Sequence, residues 1–135
     1  MKKKYGYCAV TADIVHIGHV RYINKCKAMC EKLIVGIMTD DCVEKYKGKR
    51  PVVNQWDRRE IVGNLKDVGF TLFQDTFEFP HHVTRMKNFH EGDFIIFDCK
   101  DHARKGHDVL LDREPGVSST EIKAHEDFNY SERSL

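Results

Sequence analysis

Short runs of apolar residues recur along this chain, separated by longer segments in which apolar and polar positions follow helical spacing. A run without a polar side predicts a parallel strand, because helices cover both faces of such a strand in an α/β sheet. Five runs predict strands at residues 5–11, 33–38, 70–73, 94–98 and 109–111. The segments between them predict helices at residues 17–30 and 55–67, a helix ending near residue 89, and a last helix opening near residue 116.

The second predicted helix follows a strongly basic segment. Residues 45–51 read KYKGKRP, with four cationic side chains around one glycine, which favours a solvated loop. The apolar residues of the helix recur at helical spacing and are predicted to pack in the core: Trp56, Ile61, Val62 and Leu65.

Strands that alternate with crossover helices predict one Rossmann-like, doubly wound α/β sheet of about five parallel strands with helices on both faces. We assign residues 1–126 to this domain and residues 127–135 to a polar C-terminal tail. Ligands of such sheets bind beyond the carboxyl ends of the strands. Asp13, His16 and Asp98 follow strand ends, and we therefore expect them to converge at that edge.

Composition narrows the class of protein. The 135 residues suffice for one domain with a core, and the net charge of +1 gives no general attraction to nucleic acid or to a membrane surface. No apolar run approaches the roughly 20 residues of a membrane span, and the basic start is not followed by a signal-peptide pattern. The odd number of cysteines, five, predicts free thiols and a cytoplasmic location.

The segment from Asp13 to His19, DIVHIGH, joins the first strand to the first helix. A helix start offers unpaired N–H groups and the positive end of the helix dipole, both of which favour phosphate. His16 and His19 are three residues apart and can face one bound group, while Gly18 lets a ligand approach the backbone. Helix capping alone also explains such histidines when no other phosphate signal is present.

A second phosphate signal lies about a hundred residues downstream. The Ser-Ser-Thr run at residues 118–120 opens the last predicted helix, so that hydroxyls and N–H groups can hold phosphate oxygens, and Arg113 adds further donors. Arg58 and Arg59 lie in the first turn of another predicted helix, against its dipole, which suggests that at least one of them serves a bound anion.

These blocks together resemble the cytidylyltransferase family of small nucleotidyltransferases, over about residues 5–125. Three blocks carry the resemblance: His16-x-Gly18-His19 preceded by Asp13, the stretch from residue 47 to residue 62, and the block from residue 113 to residue 120. The family includes bacterial glycerol-3-phosphate cytidylyltransferases and the eukaryotic choline- and ethanolamine-phosphate enzymes. The resemblance implies transfer of CMP from CTP to a small acceptor bearing a phosphate or phosphonate, with release of pyrophosphate and formation of a CDP-linked product.

The same resemblance implies roles for individual residues. The predicted catalytic residues are His16, His19, Lys47 and Arg113. The predicted nucleotide-binding residues are Thr11, Ala12, Asp13, Gly18, Arg58, Asp98, Gly116, Ser118, Ser119 and Thr120. Mg²⁺ is the implied cofactor, with Asp13 as a candidate metal ligand, and a homodimer is the implied assembly.

The acceptor end of the site departs from the family pattern. Val10-Thr11-Ala12-Asp13 stands where the family usually has Gly-Thr-Phe-Asp, and Phe97-Asp98-Cys99 replaces a glycine followed by two acids. The predicted acceptor-binding residues are Phe77, His81, His82, Arg85 and Phe97. Aromatic rings there would cage a quaternary ammonium, whereas the histidines and the arginine would bind a carboxylate or a second phosphate. Packing of the phenylalanines in the core is a third interpretation.

Three other functions share part of the pattern. Adenylyltransferases acting on heptose phosphates have similar His-x-Gly-His and hydroxyl blocks, which makes adenylyl transfer to a sugar phosphate the main alternative. Pantetheine-phosphate enzymes typically have threonine in place of the first histidine. A non-catalytic nucleotide-binding module is the alternative from another class, permitted by the changed residues Val10, Ala12 and Cys99.

Overall fold

A computed structural model describes residues 2–112 of the chain. The strands are β1 (Lys3–Val10), β2 (Cys30–Met38), β3 (Phe70–Gln74), β4 (Phe94–Cys99) and β5 (Val109–Leu111). The helices are α1 (Ile17–Lys27), α2 (Asp40–Lys47), α3 (Gln55–Gly63) and α4 (His81–Phe89). All five predicted strands are present within this range, β1 and β2 starting two or three residues earlier than their apolar runs.

The sheet has the order β3-β2-β1-β4-β5, and every neighbouring pair is parallel. From β1 the chain winds outward through β2 and β3 and then returns to the other side of β1 to form β4 and β5. The switch in winding direction therefore lies between β1 and β4, which is where an open α/β sheet forms its ligand crevice.

The core has a layer on each face of the sheet. Successive residues of β1 point to opposite faces, so Tyr7 packs with Val83 of α4, whereas Cys8 packs with Ile23 of α1 and Val62 of α3. Helices therefore cover both faces, and the prediction of a Rossmann-like doubly wound fold is confirmed.

Helix α2 was not predicted from the sequence. Thr39 caps its first turn by accepting a hydrogen bond from the Cys42 N–H at 3.3 Å, and Gly48 ends it with a positive φ of 80°. The basic segment assigned to a loop therefore begins as the last turn of a helix, and the loop proper starts at Gly48. Lys47 is the last residue of this helix and is exposed to solvent.

The predicted core face of α3 was partly wrong. Trp56 and Ile61 are 65% and 46% exposed, whereas Val62 is fully buried. The buried stripe instead joins Arg58 to Val62, four residues apart on the same side of the helix. Trp56 lies edge-on against Phe73 at the margin of the sheet, with ring centroids 4.9 Å apart.

Part of the predicted organisation falls beyond residue 112. The last predicted helix and the tail at residues 127–135 lie outside the described residues, as do the phosphate-binding predictions for Arg113, Gly116, Ser118, Ser119 and Thr120. Among residues 2–112, every helix is too short or too polar to cross a membrane.

Candidate active site

The predicted histidine pair forms the start of α1. His16 is the N-cap residue, and its Nδ1 accepts a hydrogen bond from the Gly18 N–H at 3.0 Å. His19 Nδ1 in turn accepts from the His16 N–H at 3.2 Å, and the two ring centroids lie 4.0 Å apart. A neutral imidazole that accepts through Nδ1 carries its proton on Nε2. Two Nε2–H donors are thereby fixed side by side at the positive end of a helix, an arrangement suited to phosphate oxygens.

The loop between β1 and α1 is braced from across the site. Asp13 is 7% exposed, and its Oδ1 and Oδ2 accept the N–H groups of Val53 at 2.8 Å and Val52 at 3.1 Å. Ala12 next to it adopts a left-handed backbone with φ of 53°, which costs a non-glycine residue about 1 kcal/mol or more. These two hydrogen bonds connect the loop that follows Gly48 to the β1–α1 loop that leads to His16. A carboxylate engaged in this way does not suit the metal-ligand role that the sequence suggested for Asp13.

Arg58 holds the ends of two strands together and does not face an anion. Its side chain is fully buried, and Nη1 donates to the carbonyl oxygens of Thr11 and Met38, each at 2.7 Å. Nε donates to the Val53 carbonyl at 2.8 Å, and Nη2 donates to Asp40 Oδ1 at 2.7 Å. The predicted nucleotide contact is therefore corrected, because the described backbone and Asp40 engage all three guanidinium nitrogens.

Asp98 is likewise directed inward. It is 2% exposed, and its Oδ1 accepts from Arg104 Nη1 at 2.8 Å and from the Cys99 N–H at 2.9 Å. Its Oδ2 accepts the backbone N–H of Arg104 at 2.7 Å. The carboxylate thus shapes the loop after β4, and the direct nucleotide contact predicted for it is not what this geometry provides.

The loop after β4 builds an aromatic cluster that sequence reasoning located only in part. Phe77 packs against Tyr46, with ring centroids 5.1 Å apart, and against His102 at 5.5 Å. The guanidinium carbon of Arg104 lies 4.4 Å from the Phe77 ring centroid. We call these four residues the Phe77 cluster. Thr11 connects it to the β1–α1 loop, since its Oγ1 lies 3.0 Å from the Tyr46 hydroxyl.

Of the predicted acceptor residues, Phe77 alone belongs to this cluster. Phe97 is fully buried in the core layer under α1 and α3, so the prediction for that residue is corrected to a packing role. His81, His82 and Arg85 are exposed on α4. His102 and Arg104 were missed, although their place just after the carboxyl end of β4 is where a parallel sheet binds ligands.

Asp98, Cys99 and His102 also place three potential metal-ligand atoms within 4.8 Å of one another. The guanidinium of Arg104 is bonded to Asp98 and opposes a second cation there. Burial raises the pKa of the Cys99 thiol. Burial and then Arg104 lower the pKa of His102, so its ring is neutral at pH 7. Because Arg104 already pairs with Asp98, we assign this group to the loop structure.

Comparisons of the sequence with known proteins identify a family of nucleotidyltransferases, in agreement with the phosphate-binding geometry at the start of α1. A family model described as cytidylyltransferase-like matches residues 7–98. The bifunctional protein HldE of Rhodopseudomonas palustris (strain TIE-1) is 32% identical over 129 residues, which cover 90% of this chain and 26% of that protein. The chain thus spans about a quarter of the length of the curated relatives it matches.

Two solved structures show the same fold at low sequence identity. A lipopolysaccharide core biosynthesis protein from Thermoplasma volcanium aligns with a TM-score of 0.59 and 17% identity over 93% of this chain and 88% of its own. NadR protein in complex with NAD and AMP-PNP aligns with a TM-score of 0.52 and 13% identity, over 97% of this chain and 43% of its own. The family model spans well over half of the chain, and the chain therefore belongs to the cytidylyltransferase-like family of nucleotidyltransferases.

Proposed function

We propose that this protein transfers CMP from CTP to a small acceptor bearing a phosphate or phosphonate, releasing pyrophosphate and forming a CDP-linked product. The observation that carries the proposal is the pair of Nε2–H donors at the start of α1, in a chain of the cytidylyltransferase-like family. The donors lie on the β1 side of the sheet's switch point, where the fold binds its ligands.

The proposed reaction is a single in-line displacement. An acceptor oxygen attacks the α-phosphorus of CTP, the bond to the β-phosphate oxygen breaks, and pyrophosphate leaves with the electron pair. His16 and His19 donate to the non-bridging oxygens of the α-phosphate, where charge changes during transfer. Lys47 and Arg113 are proposed to bind the β- and γ-phosphates and to follow pyrophosphate as it leaves. The protein contributes positioning and charge neutralisation, and no covalent enzyme intermediate is required.

In this proposal Mg²⁺ is bound by the nucleotide phosphates and not by a carboxylate site of the protein. Within residues 2–112, Asp13, Asp40 and Asp98 lie at the carboxyl edge and are the carboxylates nearest the proposed site, and hydrogen bonds already engage both oxygens of each. They do not form the open carboxylate site that Mg²⁺ prefers. We therefore assign no step of the reaction to the ion.

A pyrophosphate-release assay with CTP or ATP and a panel of phosphate and phosphonate acceptors tests the proposal. We expect turnover with CTP, and a drop of about 10²–10³ in kcat for His16→Ala and for His19→Ala, because each removes one donor to the reacting phosphate. Near wild-type turnover in either variant would contradict the assignment. CTP binding by calorimetry without turnover on any acceptor would favour a non-catalytic binding module.

Adenylyl transfer to a sugar phosphate is the second candidate, and the comparisons favour it specifically. The lipopolysaccharide core is a carbohydrate, and NadR holds the adenine nucleotides NAD and AMP-PNP on a similar fold. A higher kcat/KM with ATP than with CTP in the same assay would replace the first candidate by the second. We further propose that the protein is cytoplasmic and forms a homodimer. Sedimentation analysis of the purified chain would check the homodimer.

A further inference from the structure

Arg104 is the feature of the structure that the proposed chemistry does not use. Its residue is 3% exposed, and its Nη1 pairs with Asp98 Oδ1. Its Nε–H is buried and has no hydrogen-bond acceptor among residues 2–112. Folded proteins rarely leave a buried N–H without a partner, and such a group points to strain, to a functional role, or to a water or ion that completes the hydrogen bond.

Arg104 lies beside the candidate active site. It follows β4, which pairs directly with β1, and its guanidinium lies on the face of Phe77. Phe77 contacts Tyr46, whose hydroxyl meets the Thr11 side chain at the start of the loop that leads to His16. A continuous set of contacts therefore connects Arg104 with the phosphate-binding end of the site. We place the other end of an acceptor whose phosphate faces the histidines at this cluster.

The charge of the cluster decides what that other end can be. The guanidinium already occupies the aromatic surface, at 4.4 Å from the centroid of Phe77 and 5.7 Å from that of Phe79. These rings cannot also cage a quaternary ammonium, and Arg104 would repel one. The Nε–H and the adjacent Nη2–H of an arginine instead form a fork that matches the two oxygens of a carboxylate or phosphate.

We propose that Arg104 binds an anionic group at the far end of the acceptor, so that the acceptor class is a phosphate or phosphonate that also carries a carboxylate or a second phosphate. This proposal rests on the proposed function and names its acceptor. Asp98 holds the guanidinium through Nη1, and Phe77 supports it from one face. Tyr46, His102 and Arg104 thereby become residues that determine acceptor specificity.

The test compares three phosphonate or phosphate acceptors: 3-phosphonopropionate, which carries a carboxylate besides its phosphonate; propylphosphonate, in which a methyl group replaces that carboxylate; and phosphocholine. We expect wild-type kcat/KM to be at least about tenfold higher for 3-phosphonopropionate than for propylphosphonate, the typical effect of one hydrogen bond to a charged group. Arg104→Lys keeps a cation beside Asp98 but removes the fork. It should abolish that preference through KM, without changing the KM for CTP.

Lys105→Met is the matched control, because it removes an exposed positive charge at the next position of the same loop. It should leave the preference intact. A preference for phosphocholine, or an equal loss for all three acceptors in Arg104→Lys, would overturn the proposal. If Arg104→Lys does not fold, Phe77→Leu removes the supporting ring instead and should raise the KM for 3-phosphonopropionate alone; an unchanged KM would count against the proposal.

Calorimetric titration of 3-phosphonopropionate separates this proposal from the proposed function. Binding to wild type that Arg104→Lys weakens at least about tenfold supports the acceptor site even if no nucleotide is transferred. Turnover that proceeds with equal affinity for the acceptor in both proteins supports the transferase and refutes the role of Arg104.

Discussion

Two arginines lie buried at the carboxyl edge of the sheet, one on each side of β1, and they differ in how completely the protein engages them. All three nitrogens of Arg58 donate hydrogen bonds, three to backbone carbonyls and one to Asp40. Arg104 donates through Nη1 to Asp98, while its Nε–H has no acceptor among the described residues. Both side chains are at most 3% exposed.

This difference in hydrogen bonding suggests different roles: Arg58 stabilises the fold, and Arg104 is proposed to bind a ligand. Leaving a donor of a buried guanidinium unengaged costs free energy, so a fully engaged arginine stabilises the fold, whereas we have proposed that the incompletely engaged Arg104 binds a ligand. The same division is proposed for each imidazole of the histidine pair, in which Nδ1 accepts a backbone N–H at the helix start and Nε2–H is proposed to donate to the phosphate. Burial alone thus does not distinguish the two arginines, whereas the number of engaged donors does.

The largest expected effect is the loss of stability when Arg58, the fully engaged arginine, is replaced. Arg58→Met would leave Asp40 without its buried partner and three carbonyl oxygens without donors. We expect the free energy of unfolding to fall by about 3–5 kcal/mol, the usual cost of breaking a buried pair. Urea unfolding followed by circular dichroism measures it.

Arg50→Ala is the matched control for Arg58→Met. Arg50 also approaches Asp40, with Nη2 at 3.9 Å, but its side chain is 51% exposed, and it bonds mainly to Asp41 and Glu44. Exposed ion pairs contribute little, so the change should stay below about 1 kcal/mol. Similar losses of unfolding free energy in the two variants would show that the number of engaged donors does not identify an arginine that stabilises the fold.

The next prediction tests whether the two nitrogens of the His16 imidazole have separate roles, Nδ1 in capping the helix and Nε2 in the reaction. Asparagine mimics the Nδ1 acceptor of histidine and caps helices well, whereas glutamine places an amide N–H near the position of Nε2. His16→Asn should therefore keep the melting temperature of wild type yet lose about 10²–10³ in kcat. His16→Gln should show the opposite pattern, with a stability loss of about 1 kcal/mol and partial activity.

Thermal melts and the pyrophosphate-release assay on both His16 variants give the comparison. An Asn variant as active as wild type, or a Gln variant no more active than the Asn variant, would show that Nε2 does not serve the reaction. The same pair of substitutions at His19 repeats the test on the second ring, whose Nδ1 accepts the N–H of His16.

The sequence predicted the sheet and the histidine pair because both follow from local patterns. The apolar runs at β2 and β4 mark strands buried on both faces, and His-x-Gly-His marks a helix start near the switch point. Helix α2 escaped prediction because its eight residues bury only Cys42 and Val43, too few to show a helical period.

The roles of the arginines could not be predicted for a different reason. Arg58 donates to carbonyls of Thr11, Met38 and Val53, and a backbone carbonyl leaves no trace in residue type. A cation in the first turn of a helix therefore suggested an anion site, although tertiary structure supplied the acceptors. Phe97 was misassigned for a simpler reason, since strand alternation already places it on the face opposite to Asp98.

The smallest expected effect concerns His102, which adjoins Arg104. Burial and the charge of Arg104 lower the pKa of His102 below its ordinary value of 6.5, with Lys47 acting in the same direction and Asp98 and Asp101 against it. The native state thus holds the ring neutral, while the unfolded chain takes up a proton near pH 6.5. The contribution of His102 to stability is therefore fully present above pH 6.5 and is lost as the pH falls through the lower native pKa.

Urea unfolding of wild type and His102→Asn at pH 7.5 and at pH 5.5 checks this sign. Wild type should lose more stability on acidification than the variant does, by a small margin because the His102 side chain is 37% exposed. Equal losses in the two proteins would mean that burial and Arg104 together do not keep the ring neutral. A neutral His102 leaves Arg104 as the one charged member of the Phe77 cluster, as the proposed binding of a single anionic group requires.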